Sequence, residues 1–177
     1  LPVSSTGQLI LLNEFINLKV SNQFQSMFDV VIQLGAILAV IVIFFEKLNP
    51  FSPKKSPAKK KATWELWFKV CAAIIPSGLI GILFDDWMDA HLHKGIPVAI
   101  ALIVYGIAFI LVEKRNEGIK PRIGKVWHID YKTALLIGCF QCLSLVPGTS
   151  RSGSTILGAI LLGVGRSAGS EFSFFMA

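Results

Sequence analysis

Charge is scarce in this sequence. Asp, Glu, Lys and Arg make up 16% of its 177 residues, where soluble domains carry roughly 25%, and the shortage excludes an ordinary soluble domain with an ionised surface. Cysteine is scarce as well: Cys71, Cys139 and Cys142 each fall inside an apolar run. Cys139 and Cys142 have a C-x-x-C spacing, but no second ligand pair or electropositive flank accompanies them, which reads as small buried hydrophobes rather than a zinc or redox site. No P-loop, dinucleotide fingerprint or H-E-x-x-H motif occurs. Nor does a basic patch with interleaved aromatics outside two short Lys- and Arg-rich stretches, so nucleic acid is not an expected partner.

What the sequence has in abundance is apolar surface, with 53% hydrophobic residues and a mean hydropathy of +0.63. These residues cluster in uncharged runs rather than amphipathic stripes, the pattern of a bilayer-embedded chain. Runs at 30–45, 70–84 and 96–112, lengthened by their flanks toward the roughly 20 residues a spanning helix needs, predict spans over 28–45, 66–84 and 96–112. Trp64 and Trp67 precede the second run and Trp87 follows it, where interfacial aromatics belong. Pro76, Gly78 and Gly81 predict a kink in that helix.

Orientation follows from the polar stretches. Of the 17 Lys and Arg, 12 lie in two of them: Lys47, Lys54, Lys55, Lys59, Lys60 and Lys61 in 46–63, and Lys114, Arg115, Lys120, Arg122, Lys125 and Lys132 in 113–132. Both read as cytoplasmic loops. The stretch between them, 85–95, holds Asp85, Asp86 and Asp89 against Lys94 alone and reads as an external loop. The lysine- and proline-rich stretch has a second reading as a lipid- or nucleic-acid-binding segment, with a solvated loop the plainer one. His91 and His93 beside the aspartates form either a solvated loop or a metal group, though the spacing fits no standard site. The opening Leu1-Pro2 and the apolar close at 174–177 read as a piece of a longer membrane protein, with 171–177 starting a further helix.

After Lys132 the run 133–146 covers only about 21 Å of a roughly 30 Å hydrocarbon core. The polar stretch 147–155 follows, then a second short apolar run, 156–165. Irregular backbone at membrane depth survives only where protein buries it or a wet cavity meets it, so 133–165 predicts a broken or re-entrant helix pair. Residues 1–18 repeat the design: Leu1-Pro2-Val3-Ser4-Ser5-Thr6-Gly7-Gln8 parallels Val146-Pro147-Gly148-Thr149-Ser150-Arg151-Ser152-Gly153. The parallel is either a chance match of short segments or an internal duplication, and the latter would place a site between two halves on the outer face. The fold class expected is all-α: one polytopic transmembrane domain over 1–177 with inverted repeats and re-entrant broken helices.

Arg151 is the only charged residue between Lys132 and Arg166, and an ionisable group in such surroundings is costly without a ligand or partner. Its planar fork suits phosphate oxygens. Flanking glycines admit backbone amides to the same anion, Thr149, Ser150, Ser152 and Thr155 add hydroxyls, and a helix starting near Ser154 adds its dipole. Together they describe an oxyanion cradle. The alternative is a snorkelling arginine beside ordinary helix caps, and Ser4, Ser5 and Thr6 carry the same ambiguity before a helix near Leu9. His128 reads as structural, and Glu171 as a helix N-terminal carboxylate or a site residue, the former the plainer reading.

Pro147-Gly148-Thr149-Ser150-Arg151-Ser152-Gly153, preceded by Gly138-Cys139-Phe140-Gln141-Cys142 and followed by Gly163-Val164-Gly165-Arg166 and Glu171-Phe172-Ser173-Phe174, resembles the bacterial undecaprenyl-diphosphate phosphatases of the bacitracin-resistance type. Leu1-Pro2-Val3-Ser4-Ser5-Thr6-Gly7 and the segment 31–40 resemble that family's other hallmarks in the same order. The resemblance implies a multi-pass enzyme of the bacterial inner membrane, its site facing outward. Such an enzyme removes the terminal phosphate of the C55 isoprenyl diphosphate carrier, recycles it for peptidoglycan synthesis and confers bacitracin resistance. It further implies a divalent cation, Mg or Ca, with polyprenyl diphosphate and membrane lipid as partners and room for a homodimer. Carried over by residue, Ser5 would be nucleophile or phosphate ligand and Arg151 the diphosphate clamp. Ser4, Thr6, Gly7, Gln8, Gly148, Thr149, Ser150, Ser152 and Gly153 would bind substrate, and no metal ligand is identified. Gln8 stands where many members carry His; it hydrogen-bonds phosphate but cannot take a proton near neutral pH. The family's glutamate-rich stretch and C-terminal portion lie beyond this sequence, so the segment alone is expected to be inactive. Broken helices in inverted repeats leave a transporter or flippase for the lipid carrier as the other reading.

Overall fold

A computed structural model describes residues 22–53, 55–92, 95–146 and 149–176. They form an all-α chain: α1 (Asn22–Ile43), α2 (Phe45–Leu48), α3 (Pro57–Leu92), α4 (Gly95–Asn116), α5 (Tyr131–Gln141), α6 (Arg151–Leu161) and α7 (Arg166–Met176), with 3₁₀ turns at Val126–His128 and Cys142–Leu145. The first of the paired motifs, residues 1–18, lies outside the described residues.

Helix α3 begins at a proline, which suits a first helical position because its missing N–H has no intrahelical acceptor there. At about 1.5 Å per residue its 36 residues measure about 54 Å, well beyond a roughly 30 Å hydrocarbon core. That length corrects the expected loops: helix already covers 57–63 and runs on through Asp85, Asp86 and Asp89 to Leu92, with α4 starting at Gly95. Charged residues at the ends of an over-long helix reach past the hydrocarbon without leaving the helix. The helix also continues through Pro76 as one element. Among the described residues, Pro57–Phe84 is the one helix long and apolar enough to cross a membrane, and Val30–Ile43 and Tyr131–Leu145 are shorter apolar helices.

The core gathers α3, α5, α6 and α7 under the connecting segment 123–129. Leu66, Val70 and Ala73 of α3 meet Ala134 and Ile137 of α5, Ala159 of α6, Ala168, Phe172 and Phe175 of α7, and Ile123, Val126 and Ile129 from above. Two glycines set how closely these helices approach. A Cβ on Gly138 would stand 2.0 Å from the Ala73 carbonyl oxygen, and one on Gly158 would stand 2.4 Å from the Phe140 ring. Small residues at such crossings let backbones touch, the usual device where lipid denies helices a hydrophobic drive to associate.

The chain breaks between α1 and α2 at Phe44, whose ring meets Phe175 edge-on at 5.3 Å and 87°. Lys47 pairs with Glu171 at 2.7 Å, and Trp67 Nε1 donates to the Leu48 carbonyl at 3.0 Å, so α2 is tied to both α7 and α3. Glu171 therefore sits midway along α7 in an ion pair, not at a helix N-terminus. The cysteines differ from expectation too: Cys71 and Cys139 are exposed, and Cys142 is half-buried, because they face outward from apolar helices rather than into the shared core. Asp130 opens α5 with Thr133 Oγ1 donating to its Oδ1 at 2.5 Å.

Candidate functional site

The break expected between the two short apolar runs lies between α5 and α6. α5 tightens into the 3₁₀ turn Cys142–Leu145, where Ser144 Oγ donates to the Gln141 carbonyl at 2.7 Å. Thr149 then closes the bend: its hydroxyl lies 2.7 Å from the Leu143 carbonyl and 2.6 Å from that of Val146. A hydroxyl has one proton, so Thr149 spends it on the turn and presents only lone pairs elsewhere.

Ser150 is the N-cap of α6. Its extended backbone (φ −80°, ψ 128°) turns the side-chain oxygen toward the Gly153 amide, which donates at 3.2 Å, and Ser152 Oγ lies 3.1 Å from Ser150 Oγ. The cap satisfies one of the orphan amides of a helix start. Gly153 is thereby committed: its amide serves the cap, and a Cβ there would stand 3.0 Å from the Ser150 side chain. The amides of Arg151 and Ser152 make no hydrogen bond among the described residues, which leaves the positive end of the helix open.

Two hydroxyl chains hold this first turn in place. Ser154 Oγ donates to the Ser150 carbonyl at 3.0 Å, so the 2.8 Å contact with Tyr105 is donated by the tyrosine of α4. Thr155 Oγ1 donates back to the Arg151 and Ser152 carbonyls at 3.0 and 3.1 Å, which makes Ser173 of α7 the donor across their 2.6 Å contact. Ser154 and Thr155 are fully buried. At its other end α6 stops in a Schellman turn: Gly163 adopts φ +81°, and the amides of Val164 and Gly163 reach the Ala159 and Ile160 carbonyls at 2.9 and 3.0 Å.

The two arginines that flank this helix have different fates. Arg166, opening α7, pairs with Glu113 at the end of α4. Arg151 is exposed, and although its carbonyl accepts from Thr155, its guanidinium makes no ion pair or hydrogen bond among the described residues. An unpaired guanidinium beside open helix amides and the Ser150 and Ser152 hydroxyls can take a multidentate anion, with phosphate oxygens matching its fork. The capping role expected of Ser150 is the one the structure shows, and its hydroxyl stands beside the first turn that carries Arg151. Of the other candidates, Ser4, Ser5, Thr6, Gly7, Gln8 and Gly148 lie outside the described residues.

Tyr105 and Ser173 were not singled out from sequence as supports of this turn, since nothing local marks a tyrosine in an apolar run or a serine in α7 as partners of α6. Gln141 was quoted only as part of a motif. It is buried, with no hydrogen-bond partner for its Oε1 among the described residues, an acceptor at the end of α5. No group of three or more His, Cys, Asp or Glu able to hold a metal occurs among the described residues.

The fold and site define a class: an all-α membrane protein that sets an arginine with an unpaired guanidinium at a capped helix N-terminus. The family is explicit. Residues 1–177 match the family described as Bacitracin resistance protein BacA, and the chain belongs to it. It is 59% identical over all 177 residues to an undecaprenyl-diphosphatase of Streptococcus equi subsp. equi, covering 63% of that protein. It is 58% identical over its whole length to one of Limosilactobacillus fermentum (64% of that protein). Over 176 residues, 99% of the chain, it is 57% identical to one of Enterococcus faecalis, again covering 64% of it. The chain thus spans somewhat less than two thirds of the length of these curated relatives.

Proposed function

We propose that the full-length protein is an undecaprenyl-diphosphate phosphatase of the bacterial inner membrane. It would hydrolyse the lipid diphosphate to the monophosphate and inorganic phosphate, return the carrier to peptidoglycan synthesis and so confer bacitracin resistance. The observation that carries the reading is the exposed, unpaired Arg151 at the open N-terminus of α6, in a chain whose relatives are named for this activity.

In this mechanism Arg151 grips the diphosphate through two parallel N–H···O bonds and the amides of Arg151 and Ser152 add to the same oxyanion, with Ser150 and Ser152 at its edge. As the bridging P–O bond breaks, negative charge builds on the lipid phosphate that leaves, and donors already in place stabilise it without reorganising. The attacking oxygen comes from water directly, or from Ser5 to give a phosphoserine that water then hydrolyses to inorganic phosphate. Ser4, Thr6, Gly7, Gln8 and Gly148 complete the proposed substrate contacts, and the site opens to the outer face. A divalent cation, Mg or Ca, belongs to the same proposal. The described cradle consists of hydroxyls, amides and a guanidinium, which does not fit a hard cation that takes carboxylate oxygens, so its ligands would come from residues outside those described. A homodimer is likewise part of the proposal.

The test is phosphate release from C55 isoprenyl diphosphate by the full-length protein beside Arg151→Ala and Arg151→Lys. Loss of one charge-assisted clamp is expected to lower kcat/KM about 100-fold or more, with Lys restoring only part because it cannot bind bidentately. A normal rate in Arg151→Ala would remove the clamp from the mechanism. Counterflow of labelled lipid across proteoliposomes without phosphate release would replace the phosphatase by a transporter.

A further inference from the structure

At the amino end of α3, far from Arg151 in sequence, the chain forms a half-open cavity of about 510 Å³ lined by Glu46, Lys47, Ser52, Lys55, Lys59, Thr63 and Trp127. Its charges do not balance. Lys47 is matched by Glu171. Lys55 Nζ is held by two neutral acceptors, the Lys47 carbonyl at 2.9 Å and Thr63 Oγ1 at 3.0 Å, which leaves its third N–H undirected. Thr63 is almost fully buried and gives its own proton to the Lys59 carbonyl at 2.9 Å. Lys59 has no ion pair or hydrogen bond from its ammonium among the described residues. Among the described residues Glu46 is the only carboxylate lining the cavity. Burial pushes the Lys55 ammonium below its usual range; Glu46 opposes the fall and Lys59 adds to it, so an anion here would relieve both the burial and the repulsion.

The surroundings say which source of anion fits. The cavity lies at one end of the helix long enough to cross a membrane. Beside it stand three exposed aromatics in contact, Phe51 on Trp64 at 5.9 Å and 88° and Trp64 on Phe68 at 6.4 Å. Lysines with aromatic neighbours at a helix end are the chemistry of a lipid headgroup region. Free phosphate would meet the lysines but make no use of the rings.

We propose that this cavity binds the phosphodiester headgroup of an anionic membrane lipid, with Lys55 and Lys59 on the phosphate oxygens and the Phe51, Trp64 and Phe68 rings against the glycerol and upper acyl chains. The full-length protein, in nanodiscs of phosphatidylcholine with graded phosphatidylglycerol, would be released for native mass spectrometry to count retained lipid. The variants are Lys59→Gln, Lys55→Gln and Lys59→Arg. Each lysine removed is expected to weaken retention of phosphatidylglycerol about fivefold, the equivalent of roughly 1 kcal/mol. Lys59→Arg should retain it, phosphatidylcholine should be unaffected, and millimolar inorganic phosphate should not compete. Unchanged retention in Lys59→Gln, whose ammonium has no partner to lose and whose fold is therefore safe, would overturn the proposal. So would displacement of the lipid by inorganic phosphate, which would make the cavity a free-anion site. Neither readout depends on phosphatase activity.

Discussion

Helices α4 and α6 pack against each other and are built in opposite ways. In α6 two hydroxyl residues are inside: Ser154 is 0% exposed and Thr155 1%. In α4 many of the apolar residues are outside, with Ile103 63% exposed and Ile110 62%. In water the second arrangement would be an aggregation hazard, and the first is tolerable anywhere only with every proton placed. Lipid explains both at once. A bilayer welcomes the outer face of α4, while the hydroxyls of α6 find partners only in protein, from Tyr105 on one side and Ser173 on the other.

The contrast breaks most severely at the glycines. Gly138→Ala places a methyl against the Ala73 carbonyl and must push α3 and α5 apart, an expected loss of about 3 kcal/mol seen as a lower thermal midpoint in detergent. Gly106→Ala on α4 has nothing within 4 Å of its new Cβ, and should hold or raise the midpoint, since alanine favours helix over glycine by about 1 kcal/mol. Equal effects at the two positions would erase the distinction between protein-facing and outward-facing helices. Next in size is Tyr105→Phe, which deletes the donor to Ser154 at an expected cost of about 1 kcal/mol. Because that bond steadies the turn carrying Arg151, hydrolysis should fall by more than the midpoint implies, and Ser154→Ala should reproduce the kinetic effect. The smallest effect is at Asp130. The Thr133 hydroxyl holds its carboxyl below the usual carboxylate range, so its contribution to α5 is present at neutral pH and is lost as the pH falls through that lowered value. Thr133→Val should move the Asp130 titration, followed by NMR, up toward the ordinary range, with the low-pH end of the stability profile shifting the same way.

Much of this arrangement was legible in the residues. Uncharged runs announced apolar helices, and the Pro-Gly-hydroxyl stretch announced a break followed by a capped helix, with Ser150 capping as its type predicts. The loops were less legible. Positive and negative stretches read as connections, yet one helix covers all of 57–92, because a charge near a helix end says where the hydrocarbon stops and not where the helix does. The cysteines misled for a related reason: an apolar neighbourhood in sequence does not separate a face toward protein from a face toward lipid.

The sequence by itself determined what depends on neighbours within a turn or two: which stretches are apolar, where a helix starts and stops, and that Arg151 stands alone among small residues. Only the tertiary structure decided which groups are spoken for. Lys47 found Glu171, Arg166 found Glu113, and Tyr105 and Ser173 found the first turns of α6 across tens of residues. The physical reason is that a proton or charge is satisfied by whatever packing brings within about 3 Å, and packing is set where helices cross at Gly138 and Gly158, not along the chain.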